Sequence, residues 1–204
     1  YYQLIHSMRK ADRIDIIVSF LMESGVKMLL EELKKAMKRG AKVRILTGNY
    51  LGITQPSALY LIKHELGELV DLRFYNEKNR SFHPKSYIFH YADHSEIYIG
   101  SSNISRSALT SGIEWNYRFS SNRDPENYEK FYRTFEDLFQ NHSIVIDDKE
   151  LKRYSKTWHR PAASKDLDRY DNAEEEEDTK VRLLFEPRGA QIEALCALEN
   201  SRAE

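Results

Sequence analysis

Residues 15–75 read DIIVSFLMESGVKMLLEELKKAMKRGAKVRILTGNYLGITQPSALYLIKHELGELVDLRFY. Asp15–Leu21 is a short apolar run rich in β-branched residues, the composition of a buried strand. Glu23 and Ser24 open a helix whose Val26, Leu29, Leu30, Leu33 and Met37 share one face. Lys38, Arg39 and Gly40 close it, with cations in the last turn and a glycine just beyond. Val43–Leu46 reads as a second strand, residues 48–55 as a loop, Pro56–Leu66 as a second helix ended by Gly67, and Val70–Tyr75 as a third strand. Alternation of this kind predicts an α/β fold with a mostly parallel sheet and right-handed crossovers.

The rhythm then changes. Two strands follow closely, His83–His90 and Glu96–Gly100, then a helix-like Ser105–Ser111 and a strand over Ile113–Phe119. Asp124 is a good N-cap with Pro125 at the first helical position. That helix carries Tyr128, Phe131, Tyr132, Phe135, Leu138 and Phe139 on one stripe, expected in a core or a subunit interface. Tyr1, Tyr2, Tyr98 and Tyr117 read as ordinary strand residues, and Trp115 as a strand residue pointing into packing. Beyond Ile146 the chain becomes polar. The expected organisation is a domain over residues 1–146, an acidic linker over 147–182 with its densest run at Ala173–Lys180, and a further segment over 183–204.

The hydrophobic fraction of 41% supports a real core, while 31% charged residues and a mean hydropathy of −0.66 argue for soluble, cytoplasmic material. No apolar run approaches the roughly 20 residues of a membrane-spanning helix, so no membrane role is expected. Cys196 is the single cysteine, which excludes an internal disulfide and any multi-cysteine zinc site. The formal net charge of −1 hides an asymmetry: residues 1–123 carry 18 Lys/Arg against 12 Asp/Glu, and the remainder carries the acidic excess. A basic front suits a phosphate-bearing ligand.

The chemistry concentrates between residues 83 and 114. Residues two apart on a strand face one way, so His83 and Lys85 project together, with Tyr87 after them as a possible groove lining. Gly100 is expected to allow a sharp turn, placing Ser101, Ser102 and Asn103 at the mouth of a helix-like segment, where backbone N–H groups favour an anion. Arg106 follows as a candidate contact for a flanking phosphate. Neutral imidazole is a competent nucleophile toward phosphorus. The Lys85 ammonium and the Ser101 and Asn103 side chains would stabilise oxygens that gain charge in the transition state. Glu114 would orient His83 by accepting the proton of its other ring nitrogen. No metal and no cofactor are required. His90, Asp93 and His94 form a weaker metal candidate, since polar residues in a hairpin turn more often face water.

This pattern resembles the phospholipase D superfamily, whose signature is H-x-K-x4-D-x6-G-S-x-N. His83, Lys85, Gly100, Ser101 and Asn103 match it, and Glu114 stands eleven positions after Asn103, as in the family's small nucleases. The resemblance implies an α/β fold with a mixed, mostly parallel sheet flanked by helices on both faces. It further implies a phosphohistidine mechanism on nucleic acid, expected to be DNA, and a homodimer in which a second copy's His83 protonates the leaving oxygen. Two features depart from the signature. Its Asp would fall at position 90, which is His90, and nine residues rather than six separate that position from Gly100. Counting by two from His83 puts position 90 on the opposite face of the strand, away from the chemistry.

Residues 185–195, FEPRGAQIEAL, resemble the opening of a superfamily 2 helicase motor, though no ATP-binding loop follows. The expectation is therefore a nuclease domain attached to a helicase-type restriction or repair protein. A non-catalytic DNA-binding or dimerising module is the alternative, and a lipid phosphodiesterase is disfavoured by the single motif.

Overall fold

The computed structural model describes residues 1–77 and 80–161. Helix α1 (Tyr2–Met8) precedes strand β1 (Arg13–Val18). Helix α2 (Glu23–Lys38), strand β2 (Lys42–Thr47), helix α3 (Pro56–Leu66) and strand β3 (Val70–Tyr75) follow within a residue or two of the expected bounds. Pairing is parallel between β1 and β2 and between β2 and β3, with the two helices as crossovers.

Strands β4 (Lys85–His90), β5 (Ser95–Gly100) and β6 (Asn116–Ser120) add to the other side of β1, all in antiparallel pairs. A short strand β7 (Ser143–Val145) closes the far edge against β3. The sheet order is β6-β5-β4-β1-β2-β3-β7. The α/β class and the mixed sheet are as expected, but parallel pairing stops at β1–β2–β3. Only four residues join β4 to β5, which allows a hairpin and rules out the long crossover a parallel pair needs.

Helices cover both faces because each strand alternates its apolar residues. Ile14, Ile16 and Val18 of β1 pack with Leu29 and Leu33 of α2, Leu59 and Ile62 of α3, and Leu4, Ile5 and Met8 of α1. Ile17, one residue out of phase, faces the other way with Leu46, Ile88, Ile97 and Phe119. That second face is covered by helix α5 (Pro125–Asn141) through Phe135 and Phe139. Burial of each such side chain is worth about 1.5–3 kcal/mol, so the stripe on α5 acts mainly as core. Phe131 remains 45% exposed. Asp124 caps α5 by accepting from the Asn127 N–H.

Several expectations fail. Tyr1 and Tyr2 lie at the start of α1, where Leu4, Ile5 and Met8 form the buried face, not in a strand. A one-turn helix, α4 (Arg106–Leu109), replaces the longer segment over 105–111. Trp115 precedes β6 and is 84% exposed instead of packed. Helix α6 (Asp148–Thr157) occupies the start of the expected linker. Buried Leu151 and the Tyr154 hydroxyl, which donates to the Thr54 carbonyl at 2.7 Å, hold it to the body. The rest of the linker, the helicase-like segment and Cys196 lie outside the described residues. Among the described residues, no helix is long and apolar enough to cross a membrane.

Candidate active site

The C-terminal end of β1 organises the site, as expected where chain direction around a parallel sheet switches. Lys85, the first residue of β4, pairs with Val18, the last of β1. The next residue, Ser19, donates through Oγ to the Pro84 carbonyl at 3.1 Å and so fixes the His83-Pro84-Lys85 corner. Asn103, past the end of β5, reaches back across β1: its Oδ1 accepts from the Ser19 N–H at 3.0 Å and from the Phe20 N–H at 3.3 Å. The Met22 N–H donates to the Ile104 carbonyl at 2.9 Å, zipping the two loops together. With its carbonyl end held by backbone, the Asn103 amide orients its NH2 as a fixed donor.

Lys85 is buried, and its Nζ lies 2.9 Å from His83 Nδ1, 2.8 Å from Nε2 and 3.1 Å from the His83 carbonyl. The expected imidazole–ammonium pair is thus assembled. The outer side of the His83 ring meets Tyr50, from a short turn at Tyr50–Gly52 after β2, with centroids 4.3 Å apart. His83 remains exposed as a residue. Even so, desolvation of the ring first, and the Lys85 charge second, hold its pKa below the ordinary 6.5. Burial likewise lowers Lys85, opposed by the charge of Glu114.

The glycine and serines depart from expectation in detail. A Cβ at Gly100 would come within 2.0 Å of the Trp115 carbonyl and 2.4 Å of Asn116 Oδ1. Gly100 therefore serves close approach of β6 rather than a sharp turn. Ser102 is buried, with Oγ accepting from Asn116 Nδ2 at 2.8 Å and its carbonyl accepting from the Tyr87 hydroxyl at 3.1 Å. Both Ser102 and the buried Tyr87 thus support the turn from beneath, and both line a cavity shared with Glu114, Asn116 and Arg118. Helix α4 is a single turn whose Ala108 N–H is already taken by Ser105 Oγ. The Arg106 N–H donates to Ser24 Oγ at 3.3 Å, tying α4 to the start of α2.

Glu114 is the clearest correction. Residues 110–115 leave α4 as irregular chain rather than strand, and the carboxylate receives the Ser101 hydroxyl. Among the described residues no hydrogen bond joins it to His83, whose ring nitrogens both face Lys85. Ser101 also accepts the Trp115 N–H at 3.0 Å. Ser19 and Tyr50 were missed from sequence. Their signal was positional, since each lies in a loop just after a parallel strand, where α/β sites gather.

Position 90 behaves as the face count predicts. His90 points to the α5 side, with Nε2 2.8 Å from Asp15 Oδ2 and Nδ1 3.0 Å from Ser95 Oγ. His94 instead stacks on Tyr91 and meets Asp93 at 2.7 Å. No group of three metal-ligating side chains comes together among the described residues.

A low imidazole pKa has a kinetic consequence. If the neutral ring acts as the nucleophile expected from the sequence, activity should fall with acid only below pH 6.5, as His83 protonates. Lys85→Met removes the neighbouring charge and should move the acid limb of kcat/KM upward while cutting the rate about 10²–10³-fold. A pH–rate profile of both proteins reads this directly. An acid limb above 6.5 in the unaltered chain would contradict it.

The chain is an α/β domain that gathers an imidazole, an ammonium and an amide at the end of β1. The chain belongs to the phospholipase D-like phosphodiesterase superfamily: residues 2–142 match the family model described as cardiolipin synthase, PLD-like domain. Among solved structures it resembles NucT from Helicobacter pylori, with TM-score 0.55 at 16% identity, covering 71% of this chain and 89% of that one. It also resembles polyphosphate kinase from Porphyromonas gingivalis, with TM-score 0.53 at 15% identity, over 86% of this chain and 26% of the other. A phosphatidylserine synthase from Haemophilus influenzae Rd KW20 gives TM-score 0.51 at 14% identity, over 88% and 44%. The chain thus spans less than half of the last two proteins. No curated protein sequence matches it.

Proposed function

We propose that this domain hydrolyses phosphodiester bonds of nucleic acid, DNA in the first instance, through a phosphohistidine on His83 and as a homodimer. The observation that carries the reading is the buried Lys85 ammonium held against both nitrogens of an exposed imidazole whose pKa is lowered. An anion entering the site draws Nζ from the ring to a phosphoryl oxygen, which frees the nucleophile. The Asn103 NH2 and the Ser101 hydroxyl are the remaining donors.

The steps balance as follows. A neutral His83 nitrogen attacks phosphorus, the bond to the leaving oxygen breaks, and the protonated His83 of a second copy delivers its proton to that oxygen. Water then attacks the phosphohistidine while the second imidazole takes its proton, and the N–P bond breaks to release a phosphomonoester. Residues 1–204 hold one such motif, and in this reading the acid comes from a second copy across a two-fold axis. The basic front of the chain supports a polyanionic substrate. The family match ends at residue 142, so attachment to a helicase rests only on the sequence of residues 183–204.

The test is cleavage of end-labelled DNA by the full chain in excess chelator, with sedimentation to give the mass. Expected are undiminished cutting, an acid-labile phosphoenzyme and a dimer. DNA that is bound but uncut, with no phosphoenzyme, would make the domain a binding module instead.

A further inference from the structure

Large apolar side chains gather on the surface at one edge of the sheet. Ile113 is 94% exposed, Trp115 84% and Tyr117 68%. Strand β6 pairs with β5 alone, leaving its outer edge open among the described residues. Exposed apolar edges invite pairing or aggregation, so their retention beside a site needs a reason. Tyr117 stacks on Phe119 at 5.7 Å, and Phe119 meets Phe131 of α5 at 6.0 Å, giving an aromatic strip along the edge. Trp115 joins the strip to the site: its carbonyl accepts from the Ser101 N–H and its N–H donates to Ser101 Oγ, both at 3.0 Å.

Charge and area select the occupant. Between Gly100 and Arg123 the chain carries Arg106, Arg118 and Arg123 against one acid, Glu114, whose carboxylate is engaged by Ser101. That balance suits a polyanion. An aromatic side chain offers roughly 150–250 Å², so the strip offers several hundred Å², short of the ~800 Å² per partner that a stable protein pair buries. Flat rings beside a phosphate pocket fit bases, whose faces stack on aromatics whatever the sequence, provided a duplex does not already cover them.

We propose that Trp115 and Tyr117 form a stacking platform for unpaired bases of the strand whose phosphate enters the pocket, which makes single-stranded nucleic acid the favoured substrate. This rests on the nucleic-acid reading of the site, and the test keeps the two apart. In the full chain carrying His83→Ala, binding is read without cutting, by anisotropy of labelled oligothymidylate and of a hairpin duplex of equal length. Adding Trp115→Ala and Tyr117→Ala should weaken oligothymidylate binding roughly 10–100-fold and duplex binding by less than about twofold. Trp115→Phe should restore most of the loss. Equal loss on both ligands, or no loss, overturns the platform. So does a dimer that becomes monomeric in the double variant, which would assign the strip to a second copy of the chain. Separately, hydrolysis of bis(4-nitrophenyl) phosphate by the unaltered chain reports the phosphodiesterase alone. If that ester is untouched and no phosphohistidine forms, the underlying reading fails whatever the strip binds.

Discussion

His83→Ala should reduce phosphodiester cleavage by at least ~10⁴-fold, the scale seen when a covalent nucleophile is removed. The fold should survive, because His83 is exposed and, among the described residues, its ring meets Lys85 and Tyr50. The proposed dimer adds a sharper expectation. When His83→Ala and unaltered chains are mixed and allowed to exchange, a mixed dimer keeps a nucleophile in one half but loses the acid that should come from the other. On DNA, whose leaving oxygen is a poor leaving group, activity should fall with the square of the unaltered fraction. On bis(4-nitrophenyl) phosphate the leaving phenolate needs little protonation, so mixed dimers should still form the phosphoenzyme and the burst of nitrophenolate should decline linearly, although turnover, which needs the second imidazole as base, does not. Steady-state rates on DNA and burst amplitudes on the ester, measured across a mixing series, distinguish the two curves. Linear decline on both substrates would mean that each chain works alone, and full activity of the homogeneous variant would remove His83 from the mechanism.

Legibility in sequence followed how local each signal was. The bounds of α3 were readable because Pro56 can only start a helix and Gly67, at φ +62°, ends it. The run of β1 announced itself by burial on both faces, whereas β3 alternates, with Val70 and Leu72 buried and Asp71 and Arg73 half-buried. Helix α1 was not readable: Tyr1 and Tyr2 suggest strand by propensity, and only packing of Leu4, Ile5 and Met8 beneath α2 makes the segment helical. Helix α6 hid for the opposite reason, being polar and docked by few residues, Leu151 and Tyr154 chief among them. At the site, His83 and Lys85 meet as expected, but His83 lies in irregular chain before β4, so the corner that Ser19 holds at Pro84, and not strand alternation, brings the ring to Nζ. The partner of Glu114 was not legible, because it depends on whether residues 110–115 are extended, which the loop after α4 decides. Trp115 failed for the same reason: alternation predicts sides only where there is a strand.

Position 90 turns a departure from the family signature into a stability prediction. The acid absent there stands across the strand pair: Asp15, fully buried on β1, holds His90 and takes both arms of Arg44 at 2.7 Å. Arg44 in turn bonds Glu136 of α5, and Arg13 donates to Tyr132, so the cluster pins α5 to the sheet. Burial pushes the Asp15 pKa up, but hydrogen bonds from Arg44 and His90, with their charges, bring it below the ordinary carboxylate value. A depressed folded pKa contributes stability above the unfolded pKa, and that contribution is lost as pH falls through the folded one. Asp15→Asn should therefore cost about 3–5 kcal/mol near neutral pH, with Arg44 left partly unpaired, and lower the melting temperature by roughly 10 °C. It should also flatten the acid limb of the stability curve. His90→Asp, which restores the signature, should destabilise too, because it sets a second carboxylate against Asp15. Combining it with Asp15→Asn should recover part of that loss, a coupling that a double-mutant cycle measures by calorimetry. If His90→Asp alone melted higher than the unaltered chain, the acid on β1 would not be standing in for the one missing from β4.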